Sequence, residues 1–366
     1  MLYRAIGLMS GSSLDGLDIA FVEFQENGGK WSYEILKADC YAYDEEWIKR
    51  LKNATSLPAL DYQLLHVEYG HYIGKQVNRF IEDYMLNYQV ALIASHGHTT
   101  FHLPAKKMTA QLGDGAAIAA ETGLPVVTDL RALDVAFGGQ GAPIVPFGEK
   151  MLWSEYDYFL NIGGIANISM NADQYIAFDI CPANRVLNML ANEAGKIFDD
   201  GGEMAATGSI NSALLEKINQ LDYYKQPYPK SLANEFGTDI IYPIIKESGS
   251  AIPDALRTYT EHIAVQIKNA IMNLVSGSRP PTPDSRLLTT GGGVFNSFLV
   301  NRIKENVEEL DIEVIVPDAK LVNYKEALIM AFIGVLRWRQ ENNVLSSVTG
   351  AARDSIGGAL WTGQEA

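Results

Sequence analysis

The sequence predicts an α/β protein of two domains, and three observations lead to this prediction. The chain has 366 residues, which is long for a single hydrophobic core. Short apolar segments typical of strands alternate with longer segments in which apolar residues recur at helical spacing. A strand–turn–strand pattern near the amino terminus recurs in the second half, so the two halves are predicted to share one plan.

The composition indicates a folded globular protein, with 47% hydrophobic and 20% charged residues. The formal net charge of -15 argues against a nucleic acid or an anionic membrane as the main partner. It is compatible with ATP, because Mg²⁺ and backbone donors can compensate the charge of the phosphates. The two cysteines, Cys40 and Cys181, do not make a disulfide framework.

The sequence predicts neither a signal peptide nor a membrane span. The amino terminus lacks a basic region followed by a long apolar core. The longest apolar run, from Ala327 to Leu336, is too short to cross a bilayer and is predicted to be a buried helix. We therefore expect a cytoplasmic enzyme or binding protein.

The first motif is IGLMSGSSLDGLD, residues 6–18, which predicts a hairpin that can approach an anion. Tyr3 to Met9 and Leu17 to Phe24 have strand character, and Asp15-Gly16 is a strong turn signal. Glycine and serine in the turn let backbone N–H groups and hydroxyls come close to an anion, and Asp15 can hold a hydrated Mg²⁺ beside it. An ordinary surface hairpin remains the alternative for this stretch alone.

The second half contains a similar hairpin and a further glycine turn. YFLNIGGIANISM, residues 158–170, reads as strand, Gly-Gly turn and strand, and two such hairpins suit the clamping of a polyphosphate. Residues 285–290 form a predicted strand that ends in a triple glycine, with a helix from about Asn296. A strand from Tyr175 to Phe178 is predicted to deliver Asp179 at its end. Neither GxxxxGK[ST] nor GxGxxG occurs, which argues against a P-loop and a Rossmann site.

Two further stretches carry polar groups. A predicted strand from Gln89 to Ala94 runs into SHGHT, where ligands tend to bind in α/β sheets. Three of the six histidines, His96, His98 and His102, fall within seven residues, which favours a functional over a structural role. Residues 129–143 combine glycines with charged groups, which predicts a domain junction lining a cleft, or alternatively a solvated linker. We therefore predict one domain from residues 1–128 with 347–366, and a second from residues 129–346.

Taken together, the motifs resemble those of the anhydro-N-acetylmuramic acid kinases, in the actin/hexokinase/Hsp70 ATPase superfamily. The matching motifs span about residues 6–358 and occur in the family's order, namely IGLMSGSSLDGLD, SHGHT, QLGDG, DLRALDVAFGGQGAPIVP, LNIGGIANIS, FDICPAN, TGGGVFN, KEALIMAF and SVTGA. The resemblance implies a two-domain actin-like ATPase (ribonuclease H-like) fold with the active site in the interdomain cleft. It also implies use of ATP with Mg²⁺, an anhydrosugar substrate and a homodimer. The implied reaction phosphorylates the 6-oxygen of 1,6-anhydro-N-acetylmuramic acid while water opens the anhydro bridge.

The resemblance also implies roles for individual residues. Asp179 matches the base that takes a proton from the attacking water. The predicted ATP-binding residues are those of the three glycine-containing motifs, namely Gly11, Ser12, Ser13, Asp15, Gly163, Gly164, Asn167, Gly291, Gly292, Gly293 and Asn296, and Asp15 is also expected to hold Mg²⁺ through water. The predicted sugar-binding residues are His96, Thr99, Arg131, Asp134 and Glu326. An arginine suits a sugar that carries a lactyl carboxylate, whereas Glu326 is alternatively a first-turn residue favoured by a helix dipole.

Several positions depart from the family's usual motifs, and the resemblance places them on the sugar side. FDTGPGN reads FDICPAN here, so Cys181 and Ala183 add a Cβ where the backbone is expected to need positive φ or close approach to a ligand. His98, Asn234 and Gly201 stand where the family usually has Gln, Arg and Asp. These changes leave two alternatives open, a kinase of the same fold acting on a different sugar or anhydrosugar, and a non-catalytic ATP-binding relative. The retained Asp179 favours a kinase.

Overall fold

The computed structural model describes residues 1–11, 13–172, 175–228, 230–276 and 284–363. Ser12, predicted to bind phosphate, lies outside the described residues. The strands are, in chain order, β1 (Leu2–Ser10), β2 (Gly16–Asn27), β3 (Lys30–Ala42), β4 (Leu92–Ser95), β5 (His98–Leu103), β6 (Met108–Leu112), β7 (Val126–Thr128), β8 (Tyr158–Ile162), β9 (Ile165–Met170), β10 (Ile176–Pro182), β11 (Ser285–Thr290), β12 (Ile312–Ile315) and β13 (Ala359–Trp361).

The α-helices occupy most of the sequence between these strands. They are, in chain order, α1 (Glu45–Lys52), α2 (Ala59–Asp83), α3 (Gly115–Thr122), α4 (Ala132–Ala136), α5 (Val145–Leu152), α6 (Asn184–Glu193), α7 (Glu203–Thr207), α8 (Ser212–Asn219), α9 (Asp222–Lys225), α10 (Tyr242–Glu247), α11 (Ile252–Ser276), α12 (Ser297–Val307), α13 (Ala319–Trp338) and α14 (Ser346–Thr349). None of the helices in the described ranges is long and apolar enough to cross a membrane.

The chain forms two compact units, one of residues 1–153 with 324–366 and one of residues 154–323. The boundaries predicted from the sequence, at 128/129 and 346/347, differ from these. Helix α5 packs against β3, and α13 runs along the strands of the first sheet, so α5 and the part of α13 from Tyr324 onward belong to the first unit. A buried ion pair joins the same two helices, with Lys325 Nζ 3.0 Å from Glu149 Oε1.

The two units repeat one strand order, and this repetition defines the fold. In the first unit the order is β13-β7-β4-β1-β2-β3, with β1, β2 and β3 antiparallel and β1, β4 and β7 parallel. In the second unit it is β10-β9-β8-β11-β12, with β8, β9 and β10 antiparallel and β8, β11 and β12 parallel. A three-stranded meander continued by parallel strands is the ribonuclease H-like arrangement, so the predicted α/β, two-domain actin-like fold class is confirmed.

Each unit has its own apolar core, formed where a long helix covers the sheet. In the first unit, α2 buries Tyr69, Ile73, Val77 and Phe80 at helical spacing. In the second unit, α11 buries a similar row, namely Leu256, Tyr259, Ile263, Ile267 and Ile271. The periodic apolar residues in the sequence therefore mark the helix faces that hold each sheet in place.

Close contact between β1 and α13 depends on Gly7. A Cβ at this position would overlap the carbonyl oxygen of Ala327, and it would lie 2.6 Å from the backbone nitrogen of Ala331. Because neither backbone group can rotate away, the absence of a side chain at Gly7 lets the helix lie directly on the strand. The carboxyl end of β1, where the opening hairpin turn begins, is thereby fixed.

Candidate active site

The opening hairpin has the geometry predicted from the sequence. Strands β1 and β2 pair as far as Ser10 and Leu17, and the turn lies between these residues. Leu14 has a φ of 59°, an uncommon conformation for a bulky residue. The side chain of Asp15 is exposed at the turn, and its carbonyl oxygen accepts a hydrogen bond from the backbone N–H of Tyr43 at 3.4 Å. Asp15 is therefore free to reach a ligand beyond the turn.

The Gly-Gly turn between β8 and β9 is open on its outer side. A Cβ at Gly163 would come no closer than 3.4 Å to another atom, and one at Gly164 no closer than 3.8 Å. Packing within the described residues therefore does not require glycine at either position. Their carbonyl oxygens accept hydrogen bonds from the backbone N–H groups of Ala183, Asn184 and Arg185, which fixes the turn against the start of α6. A bare, immobilised turn of this kind lets a ligand approach the backbone closely.

In the triple glycine after β11, unlike in the Gly-Gly turn, packing within the protein requires the absence of side chains. Gly291 has a φ of 84°, and a Cβ there would lie 2.6 Å from Asn161 Oδ1. A Cβ at Gly293 would overlap the side chain of Ile162, whereas Gly292 has open space around it. Two of the glycines are thus needed for the turn to pack against β8. Asn296 follows the turn and caps α12, because its Oδ1 accepts a hydrogen bond from Leu299 N at 2.9 Å.

A pocket of about 300 Å³ adjoins this glycine turn, within the second unit. Two aromatic side chains in its lining are half exposed, Phe198 at 53% and Phe295 at 51%. Polar side chains also line it, among them Asn188 and Asp200. Asp199 is part of the lining, but both of its carboxylate oxygens accept backbone N–H groups at the start of α7, from Met204 and Ala205. The pocket combines flat apolar surfaces with a few polar groups, as a nucleoside site requires.

Asp179 lies inside β10, not at the end of a strand as the sequence predicted. The β9–β10 register shifts between Asp179 and Cys181, and a β-bulge of this kind changes the direction in which the side chains of its strand point. Oδ2 of Asp179 accepts a hydrogen bond from Leu232 N at 2.9 Å, and its carbonyl oxygen accepts one from the Tyr223 hydroxyl at 2.6 Å. Burial raises the pKa of the Asp179 carboxyl, and the bond from Leu232 partly opposes this. One carboxylate oxygen is thus held, whereas Oδ1 accepts no hydrogen bond from the described residues.

Asp179 belongs to a polar row that crosses the second sheet. It pairs with Asn167, which pairs with Asn161, which in turn pairs with Thr290. Residues directly opposite each other on neighbouring strands present their side chains to the same face. The sequence predicted Asn167 and Asp179 separately, but Asn161 and Thr290 were missed, because strand register is not visible in the linear motifs.

In the first unit, the structure brings Arg131 and His96 together. Arg131 Nε donates to His96 Nε2 at 2.8 Å, and Arg131 Nη1 donates to the carbonyl oxygen of Gly141 at 2.5 Å. Burial lowers the pKa of Arg131 to about 10, and Glu326 acts in the opposite direction through its charge. Burial and the neighbouring Arg131 lower the pKa of His96 to about 3, so the imidazole is neutral.

The other predicted sugar-binding residues differ in exposure. Thr99 is exposed and lies 3.4 Å from the side-chain nitrogen of Gln111, and Glu326 is exposed. Helix α13 begins at Ala319, so Glu326 does not lie in its first turn, and the helix dipole does not account for this residue. Asp134 is only 1% exposed, which leaves it little surface for contact with a sugar.

Both carboxylate oxygens of Asp134 accept hydrogen bonds from residues of the first unit. Oδ2 accepts a hydrogen bond from Gly141 N at 2.7 Å, and Oδ1 accepts one from the Thr349 hydroxyl at 2.6 Å. The carboxylate therefore fixes the loop whose Gly141 carbonyl holds Arg131. This geometry favours a positioning role for Asp134 over the predicted direct contact.

Asp18 is a residue that the sequence reasoning missed. Burial raises the pKa of its carboxyl to about 6, and the charges of Glu326 and Asp15 add to this effect, while a hydrogen bond with the Cys40 thiol opposes it. Asp18 closes the first motif and pairs with Cys40 across β2 and β3. Its position in that motif was the available signal, but the proximity of Glu326 comes only from the tertiary structure.

The motif departures fall mostly on buried positions. Cys181 and Ala183 are 0% exposed and belong to the core of the second unit. Cys181 lies in β10 and Ala183 has a φ of -127°, so neither needs the positive φ that the glycines suggested. His98 is buried, with Nδ1 3.2 Å from Ser10 Oγ, whereas Asn234 is exposed. Gly201 lines the pocket beside Gly292 and Gly293.

Two units of ribonuclease H-like strand order, with open glycine turns and a nucleoside-sized pocket, define an actin-like ATPase of the two-domain class. The sequence profile of the anhydro-N-acetylmuramic acid kinase family matches residues 3–363. The chain belongs to this family.

Individual relatives agree over nearly the full length. Proteins named anhydro-N-acetylmuramic acid kinase are 32% identical in Francisella tularensis subsp. novicida and in Hydrogenovibrio crunogenus, with 97% of each chain covered. The protein of that name in Photobacterium profundum is 32% identical, with 98% of each chain covered.

Solved structures that resemble the chain include component A of the (R)-2-hydroxyglutaryl-CoA dehydratase of Acidaminococcus fermentans. The identity is 13% and the TM-score 0.43, with 91% of this chain and 97% of that chain covered. A resemblance this weak adds nothing to the assignment, which rests on the strand order and the family match.

Proposed function

We propose that this protein uses ATP to phosphorylate 1,6-anhydro-N-acetylmuramic acid and opens the anhydro bridge with water, giving N-acetylmuramic acid 6-phosphate for cell-wall recycling. The observation that carries the proposal is the carboxylate of Asp179, which is held through one oxygen and has no hydrogen-bond partner among the described residues at the other. A family match over residues 3–363 supports it. The burial of Cys181 and Ala183 also supports it, because these departures change the core instead of a sugar-facing surface.

In the proposed reaction, a water oxygen attacks the anomeric carbon of the sugar. The bond from that carbon to the 6-oxygen breaks, and the 6-oxygen bonds to the γ-phosphorus of ATP while the bond from that phosphorus to ADP breaks and ADP leaves. Oδ1 of Asp179 takes the proton of the water, which makes an otherwise weak nucleophile reactive. The raised pKa of the Asp179 carboxyl brings its basicity closer to the range useful near neutral pH.

The residues present fit a magnesium ion that keeps most of its water. No cluster of three or more His, Cys, Asp or Glu ligands occurs in the described part of the chain. Mg²⁺ is commonly held by one or two carboxylates, with water and substrate phosphates as the other ligands, and the exposed Asp15 can serve in this way. When bound, Mg²⁺ would neutralise charge on the phosphates.

Replacing Asp15 by Asn is expected to raise the Mg²⁺ concentration needed for half-maximal activity by about tenfold, the equivalent of 1.4 kcal/mol. Sugar affinity should stay unchanged, because the carboxylate is assigned to the water shell of the metal. Activity measured across a magnesium titration checks this, with Asp61→Asn, an exposed position on α2, as the control. Unaltered magnesium dependence in Asp15→Asn would remove the hairpin carboxylate from metal binding.

We propose that the pocket beside Gly292 and Gly293 takes the nucleoside of ATP, with Phe198 and Phe295 as stacking surfaces. Phe198→Ala and Phe295→Ala are each expected to raise the KM for ATP about tenfold, since stacking of one base contributes about 1–3 kcal/mol. Inhibition by tripolyphosphate, which has no base, should be unaffected. Met272→Ala, on an exposed part of α11, serves as the control. Equal losses for ATP and tripolyphosphate would contradict the assignment.

The activity itself is tested by incubating the protein with Mg-ATP and a panel of anhydrosugars. Mass spectrometry should detect a phosphosugar whose mass includes one added water, from 1,6-anhydro-N-acetylmuramic acid. ADP release without a phosphosugar would refute the proposal. The use of ATP also supports the expected cytoplasmic location.

We also propose that the protein is a homodimer, as the family resemblance implies. An exposed apolar row on α2 supports this, with Leu60 71%, Leu64 51% and Val67 40% exposed. These residues follow helical spacing and share one face, which a second copy of the chain can cover. Light scattering should give twice the chain mass, and Leu60→Lys with Leu64→Lys should give the single mass.

A further inference from the structure

We propose that His96 does not contact the sugar and is instead a positioning residue that orients Arg131 for a carboxylate ligand. Both nitrogens of the His96 ring are already used. Nε2 accepts a hydrogen bond from Arg131 Nε at 2.8 Å, and Nδ1 lies 2.9 Å from the carbonyl oxygen of Gly97. Because a carbonyl can only accept, the proton sits on Nδ1 and the lone pair on Nε2 faces the arginine. His96 is 4% exposed, so little of its surface remains for a ligand.

Arg131 is held at two of its three side-chain nitrogens. Nε donates a hydrogen bond to His96, and Nη1 donates one to the carbonyl oxygen of Gly141. The loop carrying Gly141 is itself fixed, since Gly141 N donates to Asp134 and Asp134 accepts the hydroxyl of Thr349. Among the described contacts, Nη2 has no hydrogen-bond partner in the protein. The planar guanidinium is therefore oriented before any ligand arrives.

The positive charge of Arg131 favours the binding of an anionic ligand. Arg131 forms no salt bridge with an Asp or Glu of the described residues, although the charge of Glu326 favours its charged form. A partly buried cation without a direct partner is unfavourable, and burial lowers the pKa of Arg131 to about 10. A guanidinium fork matches the planar geometry of a carboxylate. Under the proposed function, on which this inference rests, that carboxylate is the lactyl group of the sugar.

The test compares two substitutions of His96 with two sugars. Gln at this position can place an acceptor near the location of Nε2, whereas Leu cannot. The sugars are 1,6-anhydro-N-acetylmuramic acid and 1,6-anhydro-N-acetylglucosamine, which lacks the lactyl acid. Affinity for each is measured by calorimetry, and kcat and KM are measured for the acid sugar with ATP in excess.

His96→Leu is expected to weaken binding of the acid sugar about tenfold or more, because a hydrogen bond to a charged group is lost. We expect kcat to change little, affinity for the neutral sugar to stay constant, and His96→Gln to retain most of the affinity. If His96 acts only through Arg131, adding His96→Leu to Arg131→Leu should cause no further loss. The Gln variant and this cycle keep the test informative if His96→Leu folds poorly.

Four results would overturn the inference. An equal loss for both sugars would mean that His96 contacts the common sugar frame, and an additive loss in the Arg131→Leu background would mean that it acts independently. A loss of affinity for ATP with the acid sugar unaffected would assign the anion to a phosphate. Failure of the wild-type protein to phosphorylate the acid sugar would refute the proposed function, whereas normal sugar binding by His96→Leu would refute this inference alone.

Discussion

Replacing Asp179 by Asn is expected to lower kcat by about 10²-fold or more, because an amide cannot accept the proton of the attacking water. A 10²-fold loss corresponds to roughly 3 kcal/mol of transition-state stabilisation. The fold and the affinity for ATP should be retained. Steady-state kinetics with detection of the phosphosugar measures the loss, and nucleotide titration measures the affinity.

The Asn variant also separates catalysis from structure. An Asn side-chain oxygen can still accept the hydrogen bond from Leu232 N, so a purely structural role predicts nearly normal turnover. A structural role of Asp179 as the cap of α6 is excluded, because Ala183 is the N-cap of that helix and no side chain caps it. Tyr223→Phe is the matched control, since it removes the hydroxyl bonded to the Asp179 carbonyl and keeps the carboxylate. Phosphosugar formed at the wild-type rate by Asp179→Asn would remove this residue from the mechanism.

Replacing Lys325 by Met is expected to lower the free energy of unfolding of the first unit by about 3–5 kcal/mol, because it leaves the Glu149 carboxylate buried without its cation. The Lys325 and Glu149 side chains are 7% and 5% exposed, and they join α13 to α5. In urea, the unfolding transition of the first unit should move to a lower denaturant concentration, and the dependence of its free energy of unfolding on urea concentration should stay similar.

Two further variants give this prediction its controls. Combining Lys325→Met with Glu149→Leu removes both charges, and it should recover most of the lost stability, since a buried pair is often replaceable by apolar residues. Glu68→Ala breaks a more exposed pair with Arg50 in the first unit and should cost less than about 1 kcal/mol. A loss in Lys325→Met as small as the one in Glu68→Ala would show that solvent reaches the buried pair. Lys325 is adjacent to Glu326, a predicted sugar-binding residue, so the sugar affinity of Lys325→Met is measured as well.

Local sequence signals predicted the strands and turns well. The strand from Ser285 to Thr290 has the predicted bounds, and both hairpins form where glycine and apolar residues indicated them. The helical part of the chain between β3 and β4 divides into α1 and α2 near Pro58, since proline favours the start of a helix over its interior. The position of Asp179 was misjudged because the bulge that extends β10 arises from its pairing with β9.

The sequence by itself determined the α/β class, the two-fold repetition of the hairpin and the family, because these depend on local patterns and on motifs in a fixed order. Only the tertiary structure decided what individual polar groups do. Arg131 meets His96 from 35 residues away, and Thr349 meets Asp134 from 215 residues away. Whether a polar side chain is available to a ligand or is already hydrogen-bonded within the protein depends on such distant partners. Linear sequence does not specify these partners, because strand register and helix packing bring them together.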